Sequence, residues 1–441
     1  MTNNYQNIEK NGSIVRTTIL TVLYFLFLYS FQMPGMPFGT AMLVLVVLAA
    51  YMGIMLLTNK EKRYKEKTSK WLWKYILWNV FLFIYVSCLL QFLGNRDGTT
   101  PLRDYIYMLI ILPVFYISGN FIFRNIEELM KILYIGVIIQ SIIILVALFS
   151  PTLTIALTLL FPEGAYNSDI MGGFDMAIAE GYRVGLGVFT SAGCLKMAIG
   201  QIGACFYLIK SRGSKLYYHF IIYLFITIAV SVIARTGLLI SLLGLVLVVV
   251  IKRKQNRTQA FKFVILSSIL FLTGYFVVTE FFSVKFLDDI FQRFINTAEN
   301  GIYETYLRGY SGEGGSNKIP PISIETIIGL GITYGVSGSG IETVADGGFM
   351  RNYSAMGLIV VLINYMIIAV FFLQRYRSTK SVDYKGIILL MAVILFIGEF
   401  KEYYIYYISP MCFMFLIFSL IERSERNYLA TNRMPLSKLT A

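Results

Sequence analysis

Five arginines and three acids stand out in a chain that is otherwise strongly apolar, each at the edge of an apolar run or within one long polar stretch. Arg235 lies in Ser231-Val232-Ile233-Ala234-Arg235-Thr236-Gly237, between two apolar runs with no polar linker. A charge there is costly in a bilayer, and is tolerated when it faces a cavity or partner or when the side chain snorkels to headgroups. Arg183 opens another apolar run, within Gly181-Tyr182-Arg183-Val184-Gly185-Leu186-Gly187. Arg293 falls in Phe291-Gln292-Arg293-Phe294, on the polar or boundary side of a segment over 284–300 where Phe286, Ile290, Phe291 and Phe294 recur at helical spacing. Asp289, four residues earlier, can pair with it. Arg308 precedes a glycine-rich stretch, Gly309 to Ser316. A planar guanidinium grips carboxylate or phosphate at two points, so these residues suit anion binding; pairing with nearby acids and snorkelling are the alternatives. Asp346 heads Asp346-Gly347-Gly348-Phe349-Met350-Arg351. A carboxylate beside glycines at a membrane boundary suits a general base and equally a helix N-cap. Arg351, and Glu399 and Glu402 at the break expected between the last two spans, are secondary candidates.

Other chemistries find no residues to carry them. No Asp-x-Asp, phosphate-loop, His-Glu-x-x-His or Gly-x-Ser-x-Gly pattern occurs. A single histidine, His219, and four cysteines, all within apolar runs, give no metal-ligand spacing and no disulfide framework.

The elements that must position these residues follow from composition. Of 441 residues, 57% are hydrophobic and 14% charged, and the mean hydropathy is +0.68. An all-α polytopic membrane protein is expected. Apolar runs near 14–33, 36–57, 72–93, 104–122, 131–150, 184–209, 216–234, 236–251, 262–282, 352–373, 385–400 and 402–421 make about twelve spans. The piece 151–162 is too short to cross and reads as re-entrant or interfacial. The expected organisation is nine spans over 1–282, a large outer loop over 283–351, three spans over 352–421 and a tail over 422–441. Within the loop, Ile327-Ile328-Gly329-Leu330-Gly331 and the glycines from Gly335 to Gly340 permit tight turns against a substrate or the bundle, or form a plain flexible loop. The small residues Ser191, Ala192, Gly193, Gly200 and Gly203 would let other helices approach closely.

Charge fixes the expected orientation. With both termini cytoplasmic, 27 of the 38 Lys and Arg face inward, with eight acids; ten basic residues and seventeen acids face outward, leaving Lys196 within a span. This positive-inside bias accounts for the net charge of +13 and excludes nucleic acid as its explanation. Seven of the ten outer basic residues are arginine, against eleven of 27 inside. Orientation needs only positive charge, so the choice of arginine outside suggests local anion sites, with pairing to nearby acids or snorkelling to outer headgroups as the alternative.

Several of these fragments together resemble the bacterial O-antigen and capsule repeat-unit polymerases and the related O-antigen ligases. They are Arg183 at a span entrance, Ala234-Arg235-Thr236-Gly237, Phe291-Gln292-Arg293-Phe294, Ile327-Ile328-Gly329-Leu330-Gly331, and Asp346-Gly347-Gly348-Phe349 leading to Gly357. The succession spans about residues 130 to 420. The resemblance departs after Arg183, where Phe189-Thr190-Ser191 replaces the Pro-Asn usual in the family. It implies a GT-C-like membrane glycosyltransferase of the bacterial inner membrane, independent of metal and cofactor, acting at the outer face on polyprenyl-pyrophosphate-linked oligosaccharide. Arg183, Arg235 and Arg293 would grip the pyrophosphate, Arg308 would support them, and Asp346 would take the acceptor proton. A flippase and a chain-length regulator are the implied partners, besides membrane lipid. The histidine associated with the ligases has no counterpart, since His219 is expected at the cytoplasmic side of its span, and this favours polymerase over ligase. A lipid-linked-oligosaccharide flippase and a receptor or assembly scaffold are the rivals from other classes.

Overall fold

In runs of about twenty apolar residues the backbone groups can be satisfied only within the segment, and helix is the result. The computed structural model describes residues 2–32, 36, 38–58, 70–94, 100–158, 160, 184–186, 188–255, 257–258, 260–261, 263–265, 320–337, 340–343, 347–401 and 403–432. Five helices come first: α1 (Thr2–Leu28), α2 (Thr40–Thr58), α3 (Lys70–Leu93), α4 (Leu102–Ile122) and α5 (Ile126–Phe149). The short α6 (Pro151–Thr158) and a hairpin of β1 (Val184–Gly185) and β2 (Val188–Phe189) follow, then α7 (Thr190–Lys210), α8 (Ser214–Ile233) and α9 (Arg235–Gln255). The last described part holds α10 (Ile324–Ile328), the hairpin β3 (Gly335–Val336) and β4 (Glu342–Thr343), α11 (Gly348–Met356), α12 (Leu358–Ser378), α13 (Val382–Lys401), a 3-10 turn (Tyr404–Tyr406) and α14 (Ile408–Asn432). Among the described residues six helices are long and apolar enough to cross a membrane: α3, α4, α5, α8, α9 and α12. The protein is mostly helical, as expected of an all-α membrane protein, and among the described residues the strands are confined to two short hairpins.

The structure moves several expected boundaries. Residues 184–189 form an antiparallel hairpin, with Val184 opposite Phe189 and Gly185 opposite Val188. The hairpin lies against α5, where Gln140 Nε2 donates to the Leu186 carbonyl at 3.1 Å. The expected span 352–373 is two helices, because Gly357 at φ +81° breaks the run. The last helix starts at Ile408 after the 3-10 turn, against an expected start of the last span at 402, and continues to Asn432, so the expected tail over 422–441 is helical through much of its length. Of the expected span 262–282, only 263–265 are described; they are helical, and the Phe263 ring meets Phe220 edge-on at 5.0 Å.

Helix α7 is the hub, packed by α5, α8, α9 and α13. Its small residues make this possible. A Cβ on Gly203 would lie 2.7 Å from the Met130 carbonyl oxygen of α5, and one on Gly200 would lie 2.5 Å from Val137 Cβ. Beside it, α4 is enclosed by α2, α3 and α14, over an aromatic core in which Phe27 stacks on Phe115 at 4.4 Å and Phe115 meets Phe413 at 5.1 Å.

One end of the bundle is closed by charge. Arg16 Nε donates to Glu128 at 2.9 Å, joining α1 to α5, and Lys210 pairs with Glu127. Gln255 meets Asp383, Arg375 meets Glu422 at 2.7 Å, and Glu425 accepts from the Lys380 amide at 2.7 Å. His219 lies at this end too, its Nδ1 2.9 Å from the Tyr134 hydroxyl. The final carbonyls of α4, orphaned by the helix ending, accept from two arginines. Arg16 Nη2 reaches the Ile122 oxygen, and Arg423 donates to those of Asn120 and Phe123. Arg423→Ala leaves two of these carbonyls unpaired. It should cost about 1–3 kcal/mol, read as a lower melting temperature of the full chain in detergent. Arg423→Lys should recover only part, because an ammonium lacks the fork that serves both oxygens.

Candidate functional site

At the opposite end the segment before α11 folds back on that helix. Nine residues make a marginal helix by themselves, so α11 depends on its surroundings. On one side lies 329–331. The Leu330 amide donates to the Ser354 carbonyl at 2.7 Å and the Gly331 amide to that of Ala355 at 3.1 Å, pairing groups a helix end leaves open. Gly329 at φ +119° and Gly357 at φ +81° make this contact possible. A Cβ on Gly357 would sit 2.2 Å from the Ile328 oxygen and 2.3 Å from that of Ile327; one on Gly329 would lie 2.6 Å from the Met356 carbonyl carbon. The two glycine motifs singled out in the sequence therefore meet backbone to backbone. Tyr85 of α3 adds a hydrogen bond to the Ile328 oxygen at 2.5 Å. In the described part, these glycines serve tight turns against the bundle.

On its other side α11 meets Glu399. This residue lies inside the last turn of α13, not in the break expected around 399–402, and is 1% exposed. Its Oε1 accepts from Asn352 Nδ2 and from the Tyr365 hydroxyl, both at 2.7 Å, and its Oε2 from the Ile405 amide at 2.8 Å. Asn352 Nδ2 also reaches the Tyr365 hydroxyl at 2.9 Å, closing a triangle. A buried carboxylate would be prohibitive without such partners. Asn352 and Tyr365 were not among the candidates read from sequence; the signal for Tyr365 is a polar tip inside an apolar run, and Asn352 stands at the start of that expected span.

Arg351 precedes Asn352 on α11, is half-buried, and lies within electrostatic reach of Asp104 on α4. Arg103 Nε stands 3.7 Å from the same carboxylate. Arg235 opens α9 directly after Ala234, which is extended and ends α8. This corner packs on α7: a Cβ on Gly237 would lie 3.0 Å from Cys194 Cβ. One residue on, the Leu195 carbonyl accepts from the Tyr404 hydroxyl at 3.0 Å, tying α7 to the turn that also supports Glu399. The start of α9 and the turn that supports Glu399 thus both rest on the same part of α7. Arg183, Arg293, Arg308, Asp346 and Glu402 lie outside the described residues, as do the amphipathic segment 284–300 and most of the loop. Among the described residues no group of three or more His, Cys, Asp or Glu gathers as metal ligands would.

Compared with family profiles, curated proteins and solved structures, the chain matches none.

Proposed function

We propose that the protein is an integral-membrane glycosyltransferase that joins polyprenyl-pyrophosphate-linked oligosaccharide units into a surface polysaccharide: O-antigen, capsule or exopolysaccharide. In this reading it crosses the bacterial inner membrane about twelve times with both termini cytoplasmic, and works at the outer face. The acceptor hydroxyl attacks the anomeric carbon of the donor unit. The bond from that carbon to the pyrophosphate oxygen breaks, polyprenyl pyrophosphate leaves, and Asp346 takes the hydroxyl proton. Negative charge grows on the leaving group as the bond breaks. Fixed guanidiniums at a low-dielectric boundary stabilise it without reorganising; Arg183, Arg235 and Arg293 fill that role, with Arg308 in support.

The observation that carries this reading is the set of arginines at span ends and in the late polar stretch, in a chain whose basic residues elsewhere are mostly lysine. The meeting of the Gly329 and Gly357 motifs supports it, since two of the motifs that carry the resemblance come together. The deciding experiment places purified chain in liposomes with pyrophosphate-linked repeat units from the source cell and a chelator. A ladder of longer lipid-linked glycans is expected, with polyprenyl pyrophosphate released in step. Movement of intact units across the bilayer without lengthening would replace this reading with transport. Transfer only to a different acceptor lipid would replace it with ligation.

A further inference from the structure

Glu399 raises a question that the proposed chemistry leaves open. Both its oxygens are occupied, by donors from three separate elements: Asn352 of α11, Tyr365 of α12 and the Ile405 amide of the 3-10 turn. It is too enclosed to reach an acceptor sugar, which argues against the role of base. As filler it is a poor choice, because an apolar residue of similar size would pack there without the desolvation cost of a carboxylate. A carboxylate retained here specifies direction: charge-assisted hydrogen bonds are short and orient their donors. Its surroundings are unusually polar for a core. The hydroxyls of Tyr105, Tyr403 and Tyr406, all buried, lie near one another, and among the described residues none has a well-formed hydrogen-bond partner.

The element whose direction is at stake is α11. It has no side-chain N-cap, its N-cap being Gly347. Its C-terminal side is fixed by 329–331. On the side facing α12 and α13 it is held by the Phe349 ring against Tyr365, Phe396 and Phe400, and by the hydrogen bond of Asn352 to Glu399, the one polar side-chain tie of the two. Arg351 is the next residue back, about 100° round the helix, and α11 starts two residues after Asp346. We propose that Glu399 is a positioning residue: it holds α11 through Asn352 and thereby sets Arg351, on the Asp104 side of the helix, for an anionic group at the site. Its catalytic consequence rests on the reading above; its structural half does not.

Two measurements on the full-length protein in nanodiscs test it. Hydrogen exchange is followed over residues 348–356 in wild type and Glu399→Gln, with 197–209 of α7 as the internal reference. Glutamine keeps the shape but cannot accept at both oxygens. Exchange in 348–356 should rise about tenfold or more, with the reference peptide unchanged. Unchanged exchange in 348–356 overturns the proposal whatever the enzyme does. The second arm measures glycan lengthening in wild type, Glu399→Gln, Arg351→Lys and the double variant. Glu399→Gln should slow lengthening about tenfold alone, and add little in the Arg351→Lys background. Losses that multiply would mean that Glu399 does not act through Arg351, and would also overturn it. If wild type lengthens nothing, the glycosyltransferase reading fails, and the exchange arm still decides whether Glu399 holds α11. Should Glu399→Gln fail to fold, Tyr365→Phe removes one 2.7 Å donor while keeping the ring, and serves in both arms.

Discussion

Replacing Arg183, Arg235 or Arg293 with lysine is expected to abolish polymer in cells while single lipid-linked units remain on the outer leaflet. The exchange keeps the charge and most of the length, so membrane orientation, which reads only positive charge, should survive. What it removes is the planar fork that holds two phosphate oxygens at once. Losing one preorganised donor to a developing anion typically slows a reaction about 10²–10³-fold, and a processive ladder amplifies that into loss of all long products. Glycan gels with leaflet-specific labelling of the lipid-linked unit would measure it. Normal ladders in all three variants would remove these arginines from the site. Units trapped on the cytoplasmic leaflet would mean that the chain moves its substrate across the membrane.

Gly357→Ala should be among the most destabilising single-methyl changes in the chain. At φ +81° and ψ +165° the backbone occupies a region that is essentially glycine's alone. The added Cβ would also press on two carbonyl oxygens within 2.3 Å. Strain and overpacking together should cost about 3 kcal/mol or more, seen as a lowered melting temperature and poor recovery from detergent. Gly53→Ala in α2, where a Cβ would meet nothing within 4 Å, is the control and should be neutral or slightly stabilising. Equal behaviour of the two variants would mean that 329–331 does not rest on α11 as described.

These two expectations draw on different kinds of legibility. The transmembrane-length helices could be read from sequence because apolar runs and a bilayer's thickness leave little choice. What could not be read was where a run ends without a polar signal. Gly357 sits between Met356 and Leu358, and only its partner 28 residues earlier reveals the break. Val184 to Phe189 is apolar enough to pass for helix, and it takes the face of α5 to make it a hairpin. Glu399 looked like the start of a loop because Lys401 and Glu402 follow it; its partners lie 47 and 34 residues away, beyond the reach of local pattern. The arginines of the candidate site are legible by type and place in the chain, since a guanidinium between apolar runs is conspicuous. Their mutual geometry is a tertiary matter, which no spacing along the chain encodes.

The reach of α14 has a practical consequence. Its 25 residues extend about 37 Å, several ångströms beyond the hydrocarbon thickness of about 30 Å. That surplus is where Glu422, Arg423 and Glu425 make their bonds to α12, α4 and the α12–α13 connection. An affinity handle or topology reporter joined at residue 421, where apolarity stops, would cut away the clamp that ties the last helix to three neighbours. The same fusion placed after Asn432 spares it.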